Sequence, residues 1–118
     1  MPPYDLCERT FEFSLAILNH WQRLIKTRGF PRPLANQLLR AGTSVGANVE
    51  EGRAGQSKAD FVSKYSIARK EAREAMYWLR MFGASKLLDE ANGRPLIKES
   101  DELISILTAI IKKSKGVT

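Results

Sequence analysis

The chain is expected to fold as an all-α protein, an up-down-up-down four-helix bundle, and three observations predict the helices and their order. Apolar residues recur three and four apart in four separate segments. Capping residues, glycines and prolines fall between those segments. No stretch alternates with period two and β-branched enrichment, as a strand would. The length of 118 residues suits one domain spanning 1–118 around a single core.

The first helix is predicted over 5–27. Asp5 is its N-cap, and Leu6, Phe13, Ile17, Trp21 and Leu24 form its stripe. Phe11, Leu18 and Ile25 are expected to widen that stripe. Gly29 suits the residue just past the helix end, and Pro31 and Pro33 follow it. The second helix is predicted over 33–51, with Leu34, Leu38, Ala41, Val45 and Val49 inward. Its second half holds Gly42, Gly46 and Ala47. Small residues four apart predict that another helix approaches closely there. A phosphate-cradling loop would need a Gly-Lys-Ser/Thr ending, which is absent.

The third helix is predicted over 58–82, capped by Ser57 with Asp60 three residues on. Phe61, Tyr65, Ala68, Ala72, Met76 and Leu79 make its inner face. Gly83 weakens it, and Leu87 and Leu88 add a short turn before a loop at Ala91-Asn92-Gly93-Arg94. The fourth helix is predicted over 95–114 with Pro95 at its first position. Leu96, Leu103, Ile106, Leu107, Ile110 and Ile111 form its core, and Lys112, Lys113 and Lys115 complement the dipole at its end.

Composition narrows the function. Lys and Arg total 19 against 13 Asp and Glu, a net charge of +6. Such an excess favours phosphate or an acidic surface as partner. Cys7 is the one cysteine, so no intramolecular disulfide forms, in keeping with a reducing compartment. The opening Met1-Pro2-Pro3-Tyr4-Asp5 lacks the features of a signal peptide, and no apolar run approaches the roughly 18 residues of a membrane span. A cytoplasmic protein with no membrane contact is expected.

Enzyme, metal and cofactor chemistry have little to stand on. The di-metal sites of helical bundles need Glu-x-x-His motifs, and this chain has one histidine, His20, and no such motif. Glu71-x-x-Glu74 lacks the nitrogen ligand and a second copy. His20 has no Ser, Cys or Asp partner at a readable spacing and is expected to be exposed or interfacial. No cofactor is expected.

Two sets of charged residues remain. Arg40, Glu50, Lys64, Glu71 and Glu74 are embedded in apolar stretches, and Asn48 follows the small-residue run. They are candidates for structural or interface roles, with Arg40 expected to pair with Glu71 or Glu74. The nucleic-acid-binding candidates are Arg23, Lys26, Arg28 and Arg32 around the end of the first helix, Arg69, Arg73 and Arg80 on one stripe of the third, and Lys112 and Lys113 at the C-terminal end. Their alternative is a solvated face. No RNA-binding signature motif is present, which argues against sequence-specific readout. Tyr77 and Trp78 are adjacent and point to different faces, one toward the core and the other toward a subunit interface, with base stacking as the weaker alternative.

The run from Gln37 to Gly52, with Arg40-Ala41-Gly42-Thr43-Ser44-Val45-Gly46-Ala47-Asn48-Val49-Glu50-Glu51-Gly52 at its heart, resembles the signature of the four-helix bundle proteins encoded in intervening sequences of 23S rRNA genes. Asp60-Phe61, Lys64, Lys70-Glu71-Ala72, Glu74-Ala75 and Tyr77-Trp78-Leu79 resemble the third helix of that family, and Glu102 to Ile110 resembles its last. The resemblance spans roughly Tyr4 to Lys113. It implies a left-handed up-down-up-down bundle assembled as a homopentameric barrel, and a likeness to the basic accessory proteins of diversity-generating retroelements, which bind nucleic acid beside a reverse transcriptase. The expected function is a non-enzymatic homo-oligomer that binds RNA or DNA without strong sequence specificity. The alternative is a protein–protein scaffold with a protein partner and no nucleic-acid role.

Overall fold

The computed structural model describes residues 5–116. Tyr4, where the family resemblance begins, lies outside them. Four α-helices form the fold: α1 (Leu6–Leu24), α2 (Arg32–Arg53), α3 (Lys58–Ala84) and α4 (Glu90–Ser114). Among the described residues there is no strand. Short connections at 25–31, 54–57 and 85–89 turn each helix back on the one before. Contacts fix the antiparallel order. Asp5 meets Arg53 at one end of α1 and α2, while Trp21 donates from Nε1 to Asn36 Oδ1 near the other, at 2.9 Å. The bundle measures 47 × 22 × 22 Å.

The caps follow the local chemistry. Asp5 accepts from the Cys7 N–H at 3.0 Å, and Ser57 Oγ accepts from the Asp60 N–H at 3.0 Å. α1 stops at Leu24, before its expected end at 27, and residues 25–29 turn until Gly29 at φ +84° reverses the chain. α2 starts at Arg32 and runs to Arg53, past the expected stop at 51. α3 passes through Gly83 to Ala84. Lys86 then takes a left-handed φ of 64°, and Phe82 O accepts from both Leu87 and Leu88.

The start of α4 corrects the expectation. The helix begins at Glu90, so Ala91-Asn92-Gly93-Arg94 is helical and Pro95 lies inside it. Asp89 is the cap, accepting from the Asn92 N–H at 2.9 Å. Pro95 deprives only the Ala91 carbonyl of its helical donor, and Ala91 is exposed, so water can satisfy that oxygen. Gly93 is buried beneath Leu88, where an added Cβ would lie 2.8 Å from Leu88 Cδ2. That tertiary contact continues the helix toward its N-terminus through a segment that reads locally as a turn.

Alanines 41, 68, 72 and 75 are fully buried, so α2 and α3 approach closely along the centre. Phe13, Ile17, Leu38, Val45, Leu79, Phe82, Leu103 and Leu107 fill the space around them. The predicted tight contact at Gly42 and Gly46 is made with α1. A Cβ on Gly42 would stand 2.7 Å from two carbons of Ile17, and one on Gly46 would stand 3.1 Å from the Thr10 carbonyl oxygen. The predicted widening of the α1 stripe is corrected at Phe11 and Leu18. Both are exposed, with Leu15 between them, because α1 packs extensively on α2 and meets α4 only lightly.

Candidate functional site

Two arginines clasp acidic pairs across the bundle. Arg40 on α2 reaches α3. Its Nη1 donates to Glu71 at 3.0 and 3.2 Å, its Nη2 donates to Glu74, and its Nε donates to Gln37 Oε1 at 3.3 Å. Trp78 Nε1 also donates to Glu74 Oε2, at 3.2 Å. The Arg40 hydrogen bond, first of all, holds the Glu74 carboxyl below the usual carboxylate range, and Glu74 in turn raises Arg40.

Arg9 on α1 does the same to α4. Its Nε and Nη2 donate to the two Glu99 oxygens at 2.7 and 2.8 Å, and Nη2 also donates to Glu102 at 2.6 Å. This clasp bridges the lightly packed seam between α1 and α4. Sequence reasoning missed Arg9, yet a signal existed: Glu99-x-x-Glu102 repeats the spacing of Glu71-x-x-Glu74. Two carboxylates one helical turn apart present a single target to a guanidinium from a neighbouring helix.

The other structural candidates stand apart from these clasps. Glu50 is exposed, and Asn48 donates to its own helix at the Ser44 carbonyl, at 2.8 Å. Lys64 is half-buried with its Cβ against Gly52. Arg53 pairs with Asp5 at the end of α1 and α2. Among the described residues no three His, Cys, Asp or Glu side chains gather where they could hold a metal ion.

His20 corrects the expectation of an exposed or interfacial residue, being only 6% exposed. Its Nδ1 lies 3.1 Å from Arg23 Nη2, and its Nε2 is buried without a hydrogen-bond partner. Burial, first, and the Arg23 charge, second, push its pKa down; Asp89 opposes them. The apolar stripe of α1 passes through position 20, so the inward turn follows from the stripe's own period.

The basic candidates occupy three places. Arg23, Lys26, Arg28 and Arg32 are exposed at the corner between α1 and α2. Lys112 and Lys113 are exposed at the end of α4. On α3, Arg73 and Arg80 are exposed, whereas Arg69 is half-buried and donates to Thr108 Oγ1 on α4 at 3.4 Å. The α3 stripe therefore runs along the α3–α4 boundary with one member tied down. Among the described residues, none of these nine cations forms an ion pair with a carboxylate.

The same boundary opens into a groove of about 670 Å³ between the end of α3 and the start of α4. Leu79, Met81, Gly83 and Ile97 contribute apolar lining, Tyr77 and Arg80 stand on the α3 side, and Asp89, Glu90 and Arg94 on the α4 side. Arg94 donates to Glu90 at 2.9 Å. Tyr77 is 54% exposed and rests edge-on against Trp78, with ring centres 5.2 Å apart. Trp78 is the more inward of the two rings, turned toward Phe82 and Glu74.

Comparison with known proteins agrees with this architecture. Residues 4–109 match the family described as 23S rRNA-intervening sequence protein. A solved structure from Bacteroides thetaiotaomicron VPI-5482, described as a protein of unknown function from the S23 ribosomal protein family, is 33% identical. It superposes with a TM-score of 0.86 over 92% of this chain and 99% of its own. No curated protein matches. With four helices in the same arrangement and a match over most of its length, the chain belongs to the 23S rRNA-intervening sequence protein family.

Proposed function

We propose that this protein is a non-enzymatic homo-oligomer that binds RNA or DNA through basic surfaces without strong sequence specificity. One observation carries the reading: among the described residues, the nine cations at the α1–α2 corner, on α3 and at the end of α4 have no carboxylate partner, while Arg9, Arg40, Arg53 and Arg94 all do. Of the paired arginines, Arg9 and Arg40 tie neighbouring helices together and Arg53 ties the end of α2 to Asp5. Unpaired ones leave their charge available to phosphate, and several such groups on a rigid frame act together. Assembly would multiply each patch and strengthen individually weak contacts.

Self-association is supported by α1. Phe11, Leu15 and Leu18 are 50, 45 and 37% exposed and lie four and three residues apart, on one outward stripe. An outward apolar row on a helix surface supports a contact between proteins. The same stripe favours the second reading, a protein–protein scaffold in which the basic surface serves solubility.

The test is a titration of the protein into a labelled structured RNA and a duplex DNA over a range of salt. Binding whose log affinity falls linearly with log salt, by roughly 0.9 per phosphate neutralised on duplex DNA, is expected. Reversal of Arg73 and Arg80 to Glu should abolish that binding and leave assembly intact. Absence of binding at about 50 mM salt, where counterion release favours it most strongly, would overturn the reading in favour of the scaffold.

A further inference from the structure

The groove between α3 and α4 combines features that a basic helix face alone does not explain. Tyr77 offers an exposed ring at its edge, in T-shaped contact with Trp78. Arg80 shares the groove with Tyr77, and Arg73, one turn before Tyr77, carries the same basic stripe back along α3. The floor is apolar through Leu79, Met81 and Ile97. Gly83 lines it as well: a Cβ there would meet nothing within 4 Å, so no packed neighbour requires glycine at a helical position where it is unfavourable. The opposite rim keeps a net negative charge, with Asp89 and Glu90 against one cation, Arg94, which pairs with Glu90. The remaining carboxylate lone pairs there can accept hydrogen bonds from amino groups.

We infer that this groove takes an unpaired nucleobase of single-stranded nucleic acid, stacked on Tyr77, with the neighbouring phosphates on Arg80 and Arg73. The inference rests on the nucleic-acid reading above and specifies its substrate. The charge pattern orients the strand. Phosphates follow the α3 rim, and the base turns inward toward the α4 rim, where carboxylates suit the exocyclic amino groups of cytosine, adenine or guanine. An aromatic platform beside a cationic track is the general means of holding single strands without reading their sequence. A base stacked inside a duplex cannot present its face to Tyr77, so duplexes would contact only the cationic track.

The experiment compares wild type, Tyr77→Ala and Tyr77→Phe for binding to fluorescently labelled, unstructured RNA and DNA oligonucleotides of about 12 nucleotides, within the usual ~4–16 nucleotide site size. A duplex of the same length is the control. Tyr77 is exposed, so the variants are expected to fold, and circular dichroism with sedimentation checks fold and mass. The expected result is a loss of about 5- to 150-fold in single-strand affinity for Tyr77→Ala, from the usual strength of one base–aromatic stack, with little loss on the duplex and retention by Tyr77→Phe. RNA and DNA affected alike would identify the base as the ligand. A loss confined to RNA would still support the stack and add a ribose contact. Single-strand binding unchanged by Tyr77→Ala would overturn this inference and leave the broader reading standing. Failure of wild type to bind any of the three nucleic acids would overturn both. A change of oligomeric mass in Tyr77→Ala would overturn the inference by placing Tyr77 in a protein contact.

Discussion

Arg40 is 46% exposed on its side chain, while Glu71 beneath it is 12% exposed, so the clasp lies between a surface pair and a buried one. Removing one partner of a fully buried pair costs about 3–5 kcal/mol. Screening of the exposed guanidinium reduces that, and Arg40→Ala is expected to cost about 1–2 kcal/mol in urea unfolding. Arg40→Met keeps the apolar stem and should lose less. Wild-type stability in both would mean that the clasp contributes nothing. The clasps were half legible in the sequence. Glu71 and Glu74 marked one, whereas Arg9 sits in a helix whose charges all look solvated until α4 is folded against it. Acid titration should show two steps. The fold holds His20 below its ordinary 6.5, so the unfolded chain takes up that proton first. Stability from this group is full above about pH 6.5 and declines as pH falls from there to the folded-state pKa. Glu74, held below its ordinary 4.5 chiefly by Arg40, adds a second decline that starts near pH 4.5. Denaturant midpoints measured against pH in His20→Gln should lack the first step and retain the second.

At the scale of the helix, three glycines with similar sequence context have opposite roles. Gly42 and Gly46 let α1 and α2 touch, whereas a Cβ on Gly83 would meet nothing within 4 Å. Ile17 is β-branched and stiff, so it cannot swing away from a new methyl at position 42. Gly42→Ala should therefore cost about 1–3 kcal/mol from overpacking, despite the gain in helix propensity. Gly83→Ala should instead stabilise by about 0.5–1 kcal/mol. Unfolding curves of the two variants that shifted in the same direction would contradict this division. The second and third helices were legible to within two residues at each end, because Ser57 supplies a local cap and Pro33 a local start. The start of α4 was not. Asn92-Gly93-Arg94-Pro95 has turn chemistry, and only the burial of Gly93 beneath Leu88 selects helix.

The whole molecule presents two unlike surfaces. One is the outward stripe of α1, Phe11, Leu15 and Leu18, and the other is the cationic boundary of α3 with α4. If the first holds copies together, Leu15→Glu should lower the mass observed by sedimentation while leaving helical content unchanged, because the position is already exposed. Undiminished mass would move the contact elsewhere. No described helix is long and apolar enough to cross a membrane.

By itself the sequence determined the number of helices, their order, the caps Asp5 and Ser57 and the identity of the cations, because period, propensity and charge are properties of local chain. It also carried the family pattern across three helices. Tertiary structure alone decided which part of each stripe is covered and which charges pair. The periodicity of a helix fixes how its residues are spaced around the axis, but the angle at which it faces its neighbours is set by all four helices at once. Phe11 and Leu18 therefore stay outside, His20 goes inside, Arg9 and Arg40 are used up in clasps, and Tyr77 is left beside an open groove.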